Sequence, residues 1–359
     1  MNKPKKIVVA CGGTGGHVFP GLAVANELKR RGHAVEVWFS GRAIEAATHA
    51  EWDGDTFATG ARQLSLQNAP HMIRAFFRCA KAIKGKRPDA LLAMGSYSSL
   101  PPVLAAWLHR VPVVLHEGNA VPGKAVDALA RFAHTVATSF DETAAWFPRR
   151  RVVKTGLPVR EALAGQPPLD GIPEGAFTVL ITGGSQGAHR VNQLTAQAMC
   201  LLQQEGGAGG LFVIHQTGAA DEAWVREAYA KAGVPAHVSA FITEMGRAYA
   251  AADFVICRAG VSTCLELCLL GKPALLIPLP SAIRDHQHLN AAALVRTGGA
   301  DEGIQRELTG RSIMRYVQNK RRNPAALEKM GQALKALSPE GAATRVAEVV
   351  ESVTQIHNA

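Results

Sequence analysis

Nothing in the sequence approaches the roughly 20 successive apolar residues that a membrane-crossing helix needs. The basic opening, with Lys3, Lys5 and Lys6, leads into an apolar segment too short and too glycine-broken for a secretory signal. A soluble or membrane-peripheral protein is expected. The six cysteines form no C-x-x-C pair, and Cys264 and Cys268, one helical turn apart, lack the matching histidines of a zinc site. Scattered cysteines in mostly apolar surroundings suit a reducing cytosol. Aromatic residues make up only 6% of the chain and no nucleic-acid-binding motif accompanies the basic ones, so nucleic acid is not an expected partner. Acidic residues are outnumbered, 29 against 39 Lys and Arg, for a formal net charge of +10. That excess favours anionic partners, such as an acidic membrane surface or phosphorylated substrates.

Two familiar phosphate loops are missing as well. The glycines after the first apolar run do not fall as G-x-G-x-x-G, and no Lys-Ser/Thr follows them. Neither a dinucleotide fingerprint nor a P-loop is present.

What stands there instead is Ile7 to Pro20, IVVACGGTGGHVFP, an apolar run, four glycines and then His17 at the mouth of a helix. Pro20 fits a first helical turn, which has no use for its missing N–H. Such a strand, glycine loop and helix exposes backbone N–H groups and a positive helix end, a seat for a phosphate or diphosphate, or else forms only a tight turn. Leu22 to Arg31 is expected to be helical. Strands are expected at Ala34–Phe39, Ala90–Met94, Pro112–His116 and Thr135–Thr138, with helices at Pro101–His109 and Ala125–Phe132. This alternation implies a parallel sheet.

At 359 residues two domains are the better expectation. The Pro- and Gly-rich stretch from Thr155 to Pro173 reads as a linker. Beyond it Phe177–Thr182 enters Gly183-Gly184-Ser185-Gln186-Gly187-Ala188, the opening organisation repeated half a chain later. Further strands are expected at Leu211–His215, Asp253–Cys257 and Ala274–Pro278. Two similar doubly wound α/β domains follow, at 1–157 and 158–340, with a last helix over about 341–359 packing back on the first. Facing domains of this kind leave a ligand cleft between them.

Four constellations carry chemistry. His17 is either a proton acceptor kept neutral by the helix N-terminus or a capping and packing histidine. His116-Glu117-Gly118-Asn119 ends a strand, where adjacent His and Glu offer a general base with polar support, or else a solvated loop. In Cys257 to Glu266, Arg258 suits a diphosphate and Glu266 either the two hydroxyls of a ribose or an ordinary helix surface. In PLPSAIRDHQHLN, Asp285, Gln287 and Asn290 are sugar-hydroxyl ligands in kind, with Asp285 as helix cap the plainer alternative. Separately, Met72 to Arg87 places Met72, Ile73, Phe76, Phe77, Ala80 and Ile83 on one helical face and Arg74, Arg78 and Lys81 on another. It is either a membrane-surface helix or one packed on the sheet.

With GGTGGHVFPGLAVA, LLAMGSY, VVLHEGN, GLPVR, GGSQGAHRVN, CRAG-STCLEL and DHQHLNA in order, the chain resembles the MurG family of lipid II-forming glycosyltransferases from Lys6 to its last helix. The resemblance implies a GT-B fold of two Rossmann-like domains facing across a cleft. It implies inverting transfer of N-acetylglucosamine from UDP-N-acetylglucosamine to the C4 hydroxyl of lipid I. His17 is the implied base, with Glu117 second. Thr14, Gly15, Gly16 and His17, with Tyr97, His116 and Asn119, would hold the acceptor. Arg160, Ser185, Gln186, Arg258, Glu266 and Gln287 would hold the donor. No metal or cofactor is implied. The expected setting is the cytoplasmic face of the inner membrane, with residues 72–87 on anionic lipid and a cell-wall enzyme complex as partner.

Some positions depart from the family pattern. Gly118 stands in place of Gln, Val126 and Leu157 in place of Asn, His288 in place of a second Gln, and MGSYSSLPP in place of a more glycine-rich loop. Competing readings are another GT-B transferase, a non-hydrolysing UDP-N-acetylglucosamine epimerase and a catalytically idle membrane scaffold.

Overall fold

Short apolar runs become the interior strands of two sheets. The computed structural model describes residues 3–13, 15–41, 52–159, 161–206 and 210–356. The chain divides into two units, 1–160 with 339–359, and 161–338.

In the first unit the strands are β1 (Lys6–Ala10), β2 (Ala34–Phe39), β3 (Asp55–Ala58), β4 (Ala90–Ala93), β5 (Val113–Glu117), β6 (Thr135–Thr138) and β7 (Arg151–Lys154). Among the described residues they form one parallel sheet in the order β3-β2-β1-β4-β5-β6-β7. The helices are α1 (Gly15–Arg30), α2 (Ala69–Lys86), α3 (Leu100–Leu108) and α4 (Lys124–Leu129). Val8, Leu91, Val113 and Val136 are buried in its core with Cys79, Ile83 and Val103 from the helices. Strands covered on both faces need no polar alternation, which is why they are apolar throughout.

Helix α1 begins at Gly15, seven residues before the expected start, so Pro20 lies in its second turn. There it removes the bond that residue 20 would make to the Gly16 carbonyl. The early start has a packing reason. At Gly21 an added Cβ would lie 2.3 Å from Cys11 Cβ, so only glycine lets α1 sit this close to the end of β1.

The second unit carries β8 (Phe177–Thr182), α5 (His189–Gln204), β9 (Leu211–Gln216), α6 (Glu222–Ala232), β10 (Ala236–Ser239), α7 (Met245–Ala251) and β11 (Phe254–Cys257). It continues with α8 (Val261–Leu270), β12 (Ala274–Leu276), α9 (His286–Val295), β13 (Ala300–Glu302), α10 (Gly310–Arg321) and α11 (Pro324–Lys335). Its parallel sheet runs β10-β9-β8-β11-β12-β13 among the described residues. The expected linker is not slack throughout. Leu163 is buried, and an added Cβ at Gly246 on α7 would stand 3.1 Å from the Leu163 carbonyl oxygen.

The last helix, α12 (Ala342–Ile356), belongs to the first unit and packs on α1, β4, β5 and β6. Arg345 Nε donates to Thr155 O at 2.9 Å, and Glu351 meets Arg31 and His33, each at 2.9 Å.

Each sheet reverses its order once, between β1 and β4 and between β8 and β11. In open α/β sheets the crevice beyond the strand ends at such a reversal is where ligands bind. The motif residues of both units sit at these two places.

Candidate functional site

In the first unit, the reversal brings together the loop after β1, the turn after β4 and the end of β5. Ser98 Oγ donates to Gly12 O at 2.6 Å and so stitches the turn after β4 to the loop after β1, while Ser99 Oγ donates to Gly95 O within the turn itself. His17, on the first turn of α1, lies against the same turn. A Cβ on Gly95 would come 3.5 Å from His17 Cδ2, 3.4 Å from His116 O and 3.3 Å from Val126 Cγ2.

The His17 imidazole is pushed down to about 4, and burial is the cause. His116 is held at about 4 as well, mainly by burial, with the neighbouring His17 adding to it. Its Nε2–H donates to Gly156 O at 2.9 Å, while Nδ1, in a ring only 1% exposed, has no hydrogen-bond partner. Both rings are therefore neutral near pH 7.

An imidazole held this low is no more basic than an ordinary carboxylate, so basicity does not separate His17 from Glu117. Availability does. Glu117 is 3% exposed, and its Oε1 accepts from Asn119 N at 2.8 Å and Asn119 Nδ2 at 2.9 Å. Its Oε2 accepts from Gly123 N at 2.9 Å. Glu117 and Asn119 thus shape the loop from β5 to α4. His17 keeps part of its surface open.

Tyr97 is half-buried in the short 3-10 turn Tyr97–Ser99 of the same region. Gly16 is the second residue of α1, Gly15 the first. Thr14 lies outside the described residues. Of the departures, Val126 and Leu157 are buried apolar residues, so their exchange for Asn is absorbed by packing.

In the second unit, the loop after β8 lies at the reversal with Ser185 and Gln186 exposed. It is held from below by groups not singled out by the sequence reading. Gln216 Nε2 donates to Thr182 Oγ1 at 3.2 Å and Gly184 O at 3.1 Å. Asn192, fully buried, donates to Thr217 O at 2.8 Å and Asp221 Oδ2 at 2.7 Å, and pairs with His215, which pairs in turn with Tyr229. The loop rests directly on the 217–218 backbone. A Cβ on Gly187 would stand 2.0 Å from Thr217 O. The signal for this bed was Asn192, which closes the GGSQGAHRVN run. Its partners are 23 to 29 residues away and carry no local pattern.

On the other side of the reversal, Arg258 leaves β11. Nη1 donates to Ile277 O at 3.1 Å and Pro278 O at 3.0 Å, and Nη2 to Gln305 Oε1 at 2.7 Å. The guanidinium thus braces the chain just after β12. Glu266, on α8, accepts at Oε2 from the buried Tyr249 hydroxyl at 3.0 Å. Tyr249 therefore aims the carboxylate, a partner that sequence reading did not name.

Gln287, on the first turn of α9, accepts from Leu279 N at 2.9 Å. Asn290 is wholly buried and donates to Ala259 O, so it ties α9 to the Arg258 loop. Asp285 has φ 54° and makes no side-chain cap hydrogen bond, which removes the capping alternative. His288 pairs with Glu302 at 2.5 Å, and that hydrogen bond raises its pKa. Arg160 lies outside the described residues. A D-x-D spacing, Asp53-Gly54-Asp55, leads into β3, with Asp53 paired to Lys29 at 2.7 Å. Among the described residues no group of three or more His, Cys, Asp or Glu is placed to hold a metal ion.

Two doubly wound units, each with a glycine-rich loop at its reversal, have the build of a GT-B glycosyltransferase. The N-terminal domain of glycosyltransferase family 28 matches residues 7–138 and its C-terminal domain residues 178–346. The chain is 37% identical to the UDP-N-acetylglucosamine–N-acetylmuramyl-(pentapeptide) pyrophosphoryl-undecaprenol N-acetylglucosamine transferase of Solibacter usitatus, over 97% of this chain and 96% of that protein. It is 37% identical to the transferase of the same name from Syntrophotalea carbinolica, over 97% and 99%. The crystal structure of Acinetobacter baumannii MurG superposes with a TM-score of 0.78 at 30% identity, covering 97% of this chain and 100% of that one. The chain belongs to the MurG family, within glycosyltransferase family 28. A UDP-GlcNAc 2-epimerase from Neisseria meningitidis, at TM-score 0.73 and 14% identity over 97% of this chain and 100% of that one, shares the fold alone.

Proposed function

We propose that the protein transfers N-acetylglucosamine from UDP-N-acetylglucosamine to the C4 hydroxyl of the N-acetylmuramyl-pentapeptide of lipid I, releasing UDP and forming lipid II. What carries the reading is the full-length likeness to transferases so named. The donor falls to the second unit. Glu266, aimed by Tyr249, takes the ribose hydroxyls, Ser185 and Gln186 with Arg160 the diphosphate, and Gln287 the sugar. Arg258 supports this site through Ile277, Pro278 and Gln305 rather than by touching the ligand. The acceptor falls to the first unit, its diphosphate against Gly13 to Gly16 and the start of α1.

In the reaction the acceptor O4 attacks the anomeric carbon. The new O4–C1 bond forms as the C1–O bond to the UDP phosphate breaks, giving inversion. His17 accepts the O4 proton. The lost electron pair goes to UDP, whose developing charge is met by loop N–H groups and the α5 N-terminus. A diphosphate bound beside His17 favours the imidazolium and so makes the ring a better proton acceptor in the complex. Transfer of radiolabelled N-acetylglucosamine from UDP to a lipid I analogue tests this reading. Donor binding without transfer to that acceptor would overturn it.

The membrane setting is part of the same proposal. Among the described residues no helix is long and apolar enough to cross a bilayer. Helix α2 does not present one apolar face as its sequence suggests. Met72, Ala75, Cys79 and Ile83 enter the core and Phe76 packs against it, while Ile73 and Phe77 are 58% and 65% exposed. Leu64 and Leu66 before α2, and Trp107 and Leu108 on the adjoining α3, are exposed as well. Exposed apolar residues among Arg74, Arg78, Lys81 and Lys84 suit an anionic lipid surface. Ile73→Ser with Phe77→Ser is expected to cut binding to vesicles containing acidic lipid several-fold at unchanged Tm. Phe76→Ser would instead cost stability. Unchanged vesicle binding in the folded double variant would remove the surface role.

A further inference from the structure

We propose that Tyr229 and His215 are positioning residues for the donor's diphosphate, setting the loop after β8 through Asn192 without touching the ligand. The proposal rests on the reading above that Ser185 and Gln186 of that loop meet the diphosphate.

The hydrogen bonds from Tyr229 to Asn192 run in one fixed direction. Both amide hydrogens of Asn192 are committed, to Thr217 O at 2.8 Å and to Asp221 Oδ2 at 2.7 Å. Turning the amide over would set its oxygen against two acceptors, so Oδ1 faces His215. There the ring's Nε2–H donates to it at 3.2 Å. Burial pushes the His215 imidazole down to about 3, so the ring is neutral and carries one hydrogen only. Nδ1 is then the acceptor, and the Tyr229 hydroxyl donates to it at 2.9 Å. Tyr229 is 1% exposed and the other two are wholly buried, so water cannot replace any of these bonds. An apolar filling of the same volume would serve packing at least as well, which points to orientation as the use of the polar groups.

The far end of this chain of bonds is the loop itself. Asp221 Oδ1 accepts from Trp224 Nε1 and from His189 Nδ1, each at 2.7 Å, and His189 is the first residue of α5. Thr217, whose carbonyl Asn192 holds, lies directly under the loop. A Cβ on Gly218 would stand 2.5 Å from Gln186 O, as one on Gly187 would stand 2.0 Å from Thr217 O. Backbone 186–187 and backbone 217–218 are thus in direct contact, and neither shifts without the other. Tyr229 fixes His215, His215 fixes Asn192, and Asn192 fixes the surface on which Gln186 rests.

UDP and uridine separate positioning from packing, because uridine has no diphosphate for the loop to hold. Tyr229→Phe keeps the ring and removes the donated hydrogen. By calorimetry it is expected to weaken UDP binding about fivefold and to leave uridine binding unchanged. His215→Leu removes both bonds of the imidazole and is expected to weaken UDP binding about tenfold, again without effect on uridine. Val225→Ala, in the same core on α6 but outside the hydrogen-bonded chain, is expected to lower Tm and leave the ratio of UDP to uridine affinity unchanged. Equal weakening of UDP and uridine in the first two variants overturns the proposal, since the loss would then be one of packing. Unchanged UDP binding in both overturns it as well, and either result leaves the diphosphate reading of the loop intact. A parent protein that binds UDP no more tightly than uridine overturns that reading, and the proposal falls with it.

Discussion

His17→Ala is expected to lower kcat for transfer to a lipid I analogue by about 10²- to 10⁴-fold, the usual contribution of a positioned general base. Donor KM should be nearly unchanged, because His17 lies in the first unit and the donor groups in the second. The pH dependence gives a finer check. A base works deprotonated, so the rate falls as pH drops through its pKa. Burial holds the His17 imidazole at about 4 in the unliganded protein. The acid limb of kcat/KM should therefore lie well below the ordinary histidine value near 6.5. The limb of kcat should sit higher, since a bound diphosphate raises the pKa in the complex. A folded His17→Ala protein that transfers at the parent rate would move the base elsewhere. Glu117 would then have to release at least one of Asn119 and Gly123 to serve.

Glu266→Ala is expected to raise donor KM by about 10- to 100-fold, the scale of losing charge-assisted hydrogen bonds to two hydroxyls. The acceptor KM should stay put. Tyr249→Phe keeps the carboxylate but removes the hydroxyl that aims it at 3.0 Å, and a smaller rise, about threefold, is expected. The ordering of the two variants matters more than either value. If Tyr249→Phe were as damaging as Glu266→Ala, the loss would be one of packing in the core under α8. If neither changed donor KM, the ribose role of Glu266 would fall.

Interior strands were legible in the chain, and edges were not. Lys6–Ala10, Ala34–Phe39 and Phe177–Thr182 announce themselves as runs in which apolar residues predominate, and Thr135–Thr138 as a mostly β-branched one. The four strands without such a signal, Asp55–Ala58, Arg151–Lys154, Ala236–Ser239 and Ala300–Glu302, are the two margins of each sheet. Half-exposed and three or four residues long, they are stabilised by a neighbour supplied from elsewhere in the chain. The site divides in the same way. Loop residues such as His17, Ser185 and Glu266 stand in local runs that advertise them. Tyr249, Gln216 and Gln305, which hold those runs in shape, come from distant segments and need the fold to be found. Arg258 and Asn290, residue types suited to ligands, have contacts within the protein that no local pattern announces, to Ile277 O, Pro278 O and Gln305 for the first and to Ala259 O for the second. In α2, helical spacing placed Ile73 with Phe76, but which part of a broad apolar arc faces inward is decided by the sheet beneath it.

The return of α12 to the first unit makes that unit discontinuous in sequence. Val346, Ala347, Val350 and Val353 cover a patch of α1 and the β4–β6 strands that residues up to 160 leave bare. During synthesis this patch waits for about 200 further residues, on the order of 10 to 40 s at cellular translation rates. The half that begins first is thus finished last, and until then it offers nascent-chain chaperones an apolar surface to guard.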